Sequence, residues 1–153
     1  MADALSGNLS APPVRSPVLL YDGECGVCAE SVQFVLAHEQ RALDSDRPPV
    51  RFAQLQGVFA ETMRRRFPTA LNVDSVVWVP AAPDDHHILV KSDAVLAVLR
   101  YLGGPWRILG FIGRVVPRRL RDAMYDAVAR RRLGLQAQRC LLPFLVGPSR
   151  FLD

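Results

Sequence analysis

Lysine is nearly absent from this chain: 153 residues hold Lys91 alone against eighteen arginines. Cysteine is scarce as well, and three cysteines cannot make a fully paired disulfide framework. No apolar run is long. The longest, residues 106–116, is interrupted by Arg107 and Arg114 and falls short of the roughly 20 residues needed to span a bilayer. The first seventeen residues contain three prolines and no apolar stretch of signal-peptide length, so residues 1–17 are expected to be a disordered lead-in. With neither signal nor span, the expected location is the cytoplasm. In that reducing compartment a close cysteine pair serves catalysis or metal binding more often than structure.

What is present is an ordinary globular composition, half hydrophobic and 22% charged, long enough for one domain. The formal charge of +4 is unevenly spread. Residues 1–103 balance to −3, whereas residues 104–153 carry ten arginines against Asp122, Asp126 and Asp153 and balance to +7. A basic tail follows a mildly acidic body.

The body alternates between two hydrophobic periods. Val18-Leu19-Leu20-Tyr21 is a short apolar run ended by Asp22-Gly23 and reads as a buried strand. Cys28, Val32, Val35 and Leu36 then recur at helical spacing, predicting a helix from about Cys25 to about His38. Alternation returns from Val50 to Leu55, which makes strand, helix, strand, with a right-handed crossover. A short helix is expected from Val58 to Phe67, with Arg64, Arg65 and Arg66 suiting its C-terminus. Residues 75–79 and 87–90 read as a hairpin about Pro83-Asp84-Asp85. Ser92 is the expected N-cap of a further helix whose apolar face is Val95, Val98, Leu99 and Leu102, with Gly103 as its stop. The order β-α-β-α-β-β-α is that of an α/β, thioredoxin-like mixed sheet flanked by helices. The expected organisation is a domain over 18–103 and a basic amphipathic helical extension over 104–153 packed on it.

The chemistry concentrates in Asp22-Gly23-Glu24-Cys25-Gly26-Val27-Cys28, where a strand gives way to a helix. A thiol at a helix N-terminus meets unpaired backbone N–H groups and the positive end of the helix dipole, which stabilise its thiolate. Cys25 is thus the candidate nucleophile. Cys28, one turn further on, is the candidate resolving thiol for a mixed disulfide. Such exchange needs no cofactor and no metal, only a protein or small-molecule disulfide substrate and an electron donor of unknown identity. Two other readings compete: a zinc site using the pair with Cys140, His38, His86 or His87, which lacks a second closely spaced pair, and two unrelated structural cysteines. Glu24 and Asp22 are candidates for a proton acceptor or for raising the thiol pKa, and Asp22-Gly23 also suits a plain strand-exit turn. Tyr21 either contacts substrate or only packs. His38 suits the C-terminal end of its helix dipole, and His86 and His87 suit a solvated hairpin end.

Tyr21-Asp22-Gly23-Glu24-Cys25-Gly26-Val27-Cys28 resembles the Asp-Gly-x-Cys-x-x-Cys signature of the DCC family of thiol-disulfide oxidoreductases. Lys91-Ser92-Asp93-Ala94-Val95 is similar to that family's Ser-x-Ala segment. Residues 117–132, with Arg121-Asp122 and Tyr125, look like its C-terminal helix, and Cys140-Leu141-Leu142-Pro143 and Arg150-Phe151 like its closing segment. The resemblance implies a thioredoxin-like fold and protein-disulfide reductase or related activity. Three departures from the thioredoxin pattern stand out: Glu24 occupies the place of a Trp, Gly26-Val27 replaces a Gly-Pro, and no proline directly precedes the strand at Ser75.

In the tail, Leu120, Ala123, Met124, Ala127 and Val128 form a helical stripe, expected to pack on the domain. The alternatives are a non-enzymatic binding module that sets this stripe on a membrane surface or an acidic partner, and, least favoured, nucleic acid, for which no reading motif is present. Cys140 is either a small buried residue or a third redox thiol.

Overall fold

Parallel and antiparallel pairing meet in one small sheet. The computed structural model describes residues 15–22, 26–69, 71, 75–81, 88–132 and 150–152, apart from the side chains of residues 26–30, 41, 43 and 132. The strands are β1 (Val18–Tyr21), β2 (Arg51–Gln54), β3 (Val77–Val79) and β4 (Leu89–Val90), in the spatial order β2-β1-β3-β4. β1 runs parallel to β2 and antiparallel to β3, and β3 is antiparallel to β4. The helices are α1 (Gly26–His38), α2 (Gln40–Leu43), α3 (Val58–Arg66), α4 (Lys91–Leu102), α5 (Gly104–Val115) and α6 (Arg118–Arg132). This is the mixed sheet and helix arrangement of a thioredoxin-like fold.

Successive side chains of a strand point to opposite faces, and β1 is apolar on both, so it lies between two cores. Leu19 and Tyr21 join Val32 and Val35 of α1 and Ala94, Val98 and Leu102 of α4. Val18 and Leu20 join Ala60 and Met63 of α3, with Leu71. Every residue of β1 is buried, which is why the run shows no polar alternation.

Three expectations shift in detail. α2 is a single turn, too short to leave a period in the sequence. The N-cap of α4 is Val90, and Ser92 lies inside the first turn. The tight passage from β4 into α4 is made by Lys91, whose φ of 52° lies in the left-handed region, moving the helix start upstream of the serine. The face of α4 that meets the sheet is Ala94, Ala97, Val98 and Leu102, whereas Val95 is 41% exposed. Gly103 ends α4 as expected, with a φ of 73°, and Arg47 donates to the last carbonyls of the helix at Tyr101 and Arg100 (2.5 and 3.3 Å).

The chain returns at residues 150–152 to the outer edge of β2. Phe151 bridges Phe52, the Leu152 N–H donates to the Phe52 carbonyl (3.0 Å), and Arg150 donates to the Val50 carbonyl (3.0 Å) and to the buried Glu39 carboxylate.

The tail departs furthest from expectation. α6 meets α4 through polar residues: Ser92 Oγ donates to Asp122 Oδ1, Arg121 Nη1 and Arg118 Nε lie 3.0 and 3.1 Å from Asp93, and Lys91 Nζ lies 3.4 Å from Asp126. The stripe of Leu120, Met124 and Val128, expected to pack, stays about half exposed: Met124 and Val128 line an open cavity opposite α1 and α4 without closing on them. The start of α4 supplies charges and a hydroxyl rather than a hydrocarbon surface, so α6 turns its complementary side to it.

Candidate functional site

Both parallel strands deliver their C-terminal ends to the same edge of the sheet. The Leu55 N–H donates to the Tyr21 carbonyl (2.8 Å), extending the β1–β2 ladder by one step, and Gln56 Nε2 then donates to Asp22 Oδ1 (2.8 Å). That edge, beyond the carboxyl ends of parallel strands, is where open α/β sheets place ligands. β3, being antiparallel, starts there. Its pairing of Leu20 with Val77, continued two residues, brings Ser75 level with Asp22.

β1 ends at Tyr21 and α1 begins at Gly26, so the cysteine motif spans the strand-to-helix junction. Position 28 is the third residue of α1, on the side that Ser31, Val32 and Val35 continue by helical spacing. Gly23, Glu24 and Cys25 lie outside the described residues, as does the side chain of Cys28. So do Cys140, His86, His87, the hairpin turn at Pro83-Asp84-Asp85 and residues 1–14. Tyr21 is buried in the core beside Leu19. Among the described residues no group of three His, Cys, Asp or Glu is placed to hold a metal. His38 closes α1, its Nδ1 2.8 Å from the Phe34 carbonyl and its ring between Phe34 and Trp106, a helix-end partner as its position suggested.

Ser75 is the residue that pattern reading passed over. It is 6% exposed, and its Oγ finds no hydrogen-bond partner among the described residues. A buried hydroxyl of this kind costs free energy unless something engages it. The adjacent Val76 is held from outside the sheet, its N–H donating to Tyr125 Oη of α6 at 3.2 Å. Only the apolar run after Ser75 was legible, and nothing in the spacing of Tyr125 announces a bond to a strand forty-nine residues away.

Beside Ser31 and Val76 opens a cavity of about 710 Å³, walled by Phe34 and Val35 of α1, Leu96 and Leu99 of α4 and Met124 and Val128 of α6. Its wall is mainly hydrocarbon, with Ser31, Ser92, Arg121 and Tyr125 as the polar groups. Among the described residues the one displaced ionisation lies elsewhere: burial, followed by the nearby Glu39 carboxylate, raises the Tyr101 phenol above its ordinary pKa of 10.0, against smaller lowering effects of Arg150, the Val50 backbone and Arg47.

The fold and this junction define a thioredoxin-like domain with a Cys-x-x-Cys sequence at its first helix. A model of the DCC1-like thiol-disulfide oxidoreductase family matches residues 19–138, and the chain belongs to that family. It is 29% identical over 148 residues to the uncharacterized protein YuxK of Bacillus subtilis (strain 168), covering 94% of this chain and 99% of that one. It is 30% identical over 122 residues to a chloroplastic DCC family protein of Arabidopsis thaliana, covering 79% of this chain and 65% of the plant protein. No solved structure matches it. Membership associates the chain with thiol–disulfide redox chemistry.

Proposed function

We propose that the protein is a thiol-disulfide oxidoreductase of the protein-disulfide reductase type. The observation that carries this reading is the start of α1 at Gly26, directly after Cys25, at the sheet edge where β1 and β2 both end. The Cys25 thiolate, favoured by the N–H groups and dipole of α1, attacks one sulfur of a substrate disulfide and expels the other as a thiolate, which takes up a proton. Cys28, deprotonated, then attacks Cys25 in the mixed disulfide and releases the second substrate thiol. The substrate gains two electrons, and the Cys25–Cys28 disulfide is returned to the dithiol by a thiol donor. Ser75 supports the same chemistry, its hydroxyl, which finds no partner among the described residues, donating to the sulfur anion. Asp22 and Glu24 tune proton uptake. The 710 Å³ cavity suits an apolar flank of a protein substrate, its volume being in the usual range for ligand sites.

In this reading residues 18–103 are the redox domain, residues 104–153 are its packed extension, and a reducing compartment such as the cytoplasm keeps the pair as the dithiol. Turnover of a protein disulfide with dithiothreitol tests the proposal. Cys25→Ser should abolish it and Cys28→Ser should leave a trapped mixed disulfide. Unchanged reduction by the Cys25→Ser protein would overturn the assignment. Ser75→Ala should raise the pKa of the reactive thiol in an alkylation titration while leaving the fold intact.

A further inference from the structure

α5 is packed the wrong way round for a helix that serves a core. The face it turns to α4 is made of its glycines: Gly110 is buried, and a Cβ at Gly113 would come within 2.7 Å of Leu96 Cδ2. Trp106, near its start, packs on Phe34 and His38, but its other large side chains point away, with Ile108 63%, Ile112 60% and Val115 84% exposed and Phe111 and Leu109 close to half exposed. By helical spacing these five form one continuous face, bordered by Arg107 and Arg114, and the Arg107 guanidinium lies 5.7 Å from the Phe111 ring centre.

The charges around this face have one sign. Residues 104–121 contain five arginines and no carboxylate. Arg118 and Arg121 are engaged by Asp93, while Arg107, Arg114 and Arg119 meet no carboxylate among the described residues. A solvent-facing helix gains nothing from five exposed hydrocarbon side chains, and an acidic protein groove would match the arginines but not so wide an apolar face. A hydrocarbon face with arginines along one edge matches an anionic lipid surface, where such a helix lies in the interface plane with its arginines among the headgroups. At twelve residues α5 is about 18 Å long, too short to cross the bilayer. Among the described residues no helix is long and apolar enough to do so.

We propose that α5 seats the protein on the surface of an anionic membrane, with Phe111, Ile108, Ile112 and Val115 in the acyl boundary and Arg107, Arg114 and Arg119 on lipid phosphates. The inference is independent of the redox assignment. The test is co-sedimentation of the full chain with vesicles of equal parts phosphatidylcholine and phosphatidylglycerol, beside vesicles of phosphatidylcholine alone. Binding is expected to the first and to be at least several-fold weaker to the second. Ile112→Asp, at an exposed position that the fold does not need, should lower partitioning on the order of tenfold or more, and Arg107→Gln with Arg114→Gln by a similar factor that shrinks in high salt. Equal binding to both vesicle types, no binding to either, or an Ile112→Asp protein that binds as before would overturn it. So would a dimer in sedimentation velocity that Ile112→Asp dissociates, because the face would then belong to a second copy of the chain.

Discussion

α1 and α4 are built in the opposite sense to α5 and α6. The first two press aliphatic side chains on the sheet, burying Val32, Val35, Val98 and Leu102. The last two turn glycines or ionic groups inward and leave Ile112, Val115, Leu120 and Met124 exposed. The difference lies in what each helix finds opposite it. A sheet face offers hydrocarbon, whereas the first turn of α4 offers Lys91, Ser92 and Asp93, and α6 answers with Asp126, Asp122 and Arg121. An amphipathic stripe therefore announces that a helix has two faces without saying whether the apolar one is packed tight, lines a cavity or stays in solvent.

Substitutions that remove one side chain from each region should separate the two kinds of packing. Phe52→Ala, at a fully buried position between β1 and the returning Phe151, is expected to cost about 3–5 kcal/mol in urea unfolding. Arg150→Ala strands the Glu39 carboxylate, whose side chain is 6% exposed, and should cost about 3 kcal/mol, with Glu39→Gln in the same chain recovering part of the loss. Asp93→Ala releases Arg121 and Arg118 together. Because these side chains retain contact with water, the expected loss is only about 1 kcal/mol, weakening further in high salt. Phe111→Ser should lie within about 0.5 kcal/mol of the parent, and a loss as large as that of Phe52→Ala would erase the contrast between the regions.

The comparison also has a pH dimension. Tyr101 carries a raised pKa in the folded chain, first from burial and then from the Glu39 charge. Its neutral hydroxyl donates to the Pro48 carbonyl at 2.7 Å. A group whose folded pKa exceeds its unfolded value contributes stability that is complete below the unfolded pKa and disappears as the pH climbs through the folded one. Thermal stability should therefore decline above about pH 10, and Tyr101→Phe should flatten the decline. An identical alkaline limb in the variant would remove Tyr101 from the explanation.

Much of the architecture was legible because periods change sharply along the chain. The unbroken apolar run Val18 to Tyr21, the helical spacing of Val32 and Val35 and the alternation around Phe52 correspond to β1, α1 and β2. The junction at the cysteine motif was legible for the same reason. Side chains that act across long separations were not. The Gln56–Asp22 bond arises only once β1 and β2 lie in register, and Tyr125 reaches Val76 only because α6 docks by its polar side. Ser92 misled because a serine before an apolar period suits a cap, and the left-handed turn at Lys91 that starts the helix earlier leaves no trace in a residue type that seldom adopts it.

The return of residues 150–152 to β2 has a consequence for biosynthesis. Arg150 lies a hundred positions after the Val50 whose carbonyl it meets, so the ribosome has β2 finished long before its outer neighbour exists. Through that interval the nascent strand shows an open row of backbone donors and acceptors, the kind of edge that recruits other polypeptides. Premature termination or proteolytic trimming just upstream of residue 150 would leave the same edge bare, and truncated products of this chain should accumulate in inclusion bodies rather than as dispersed protein.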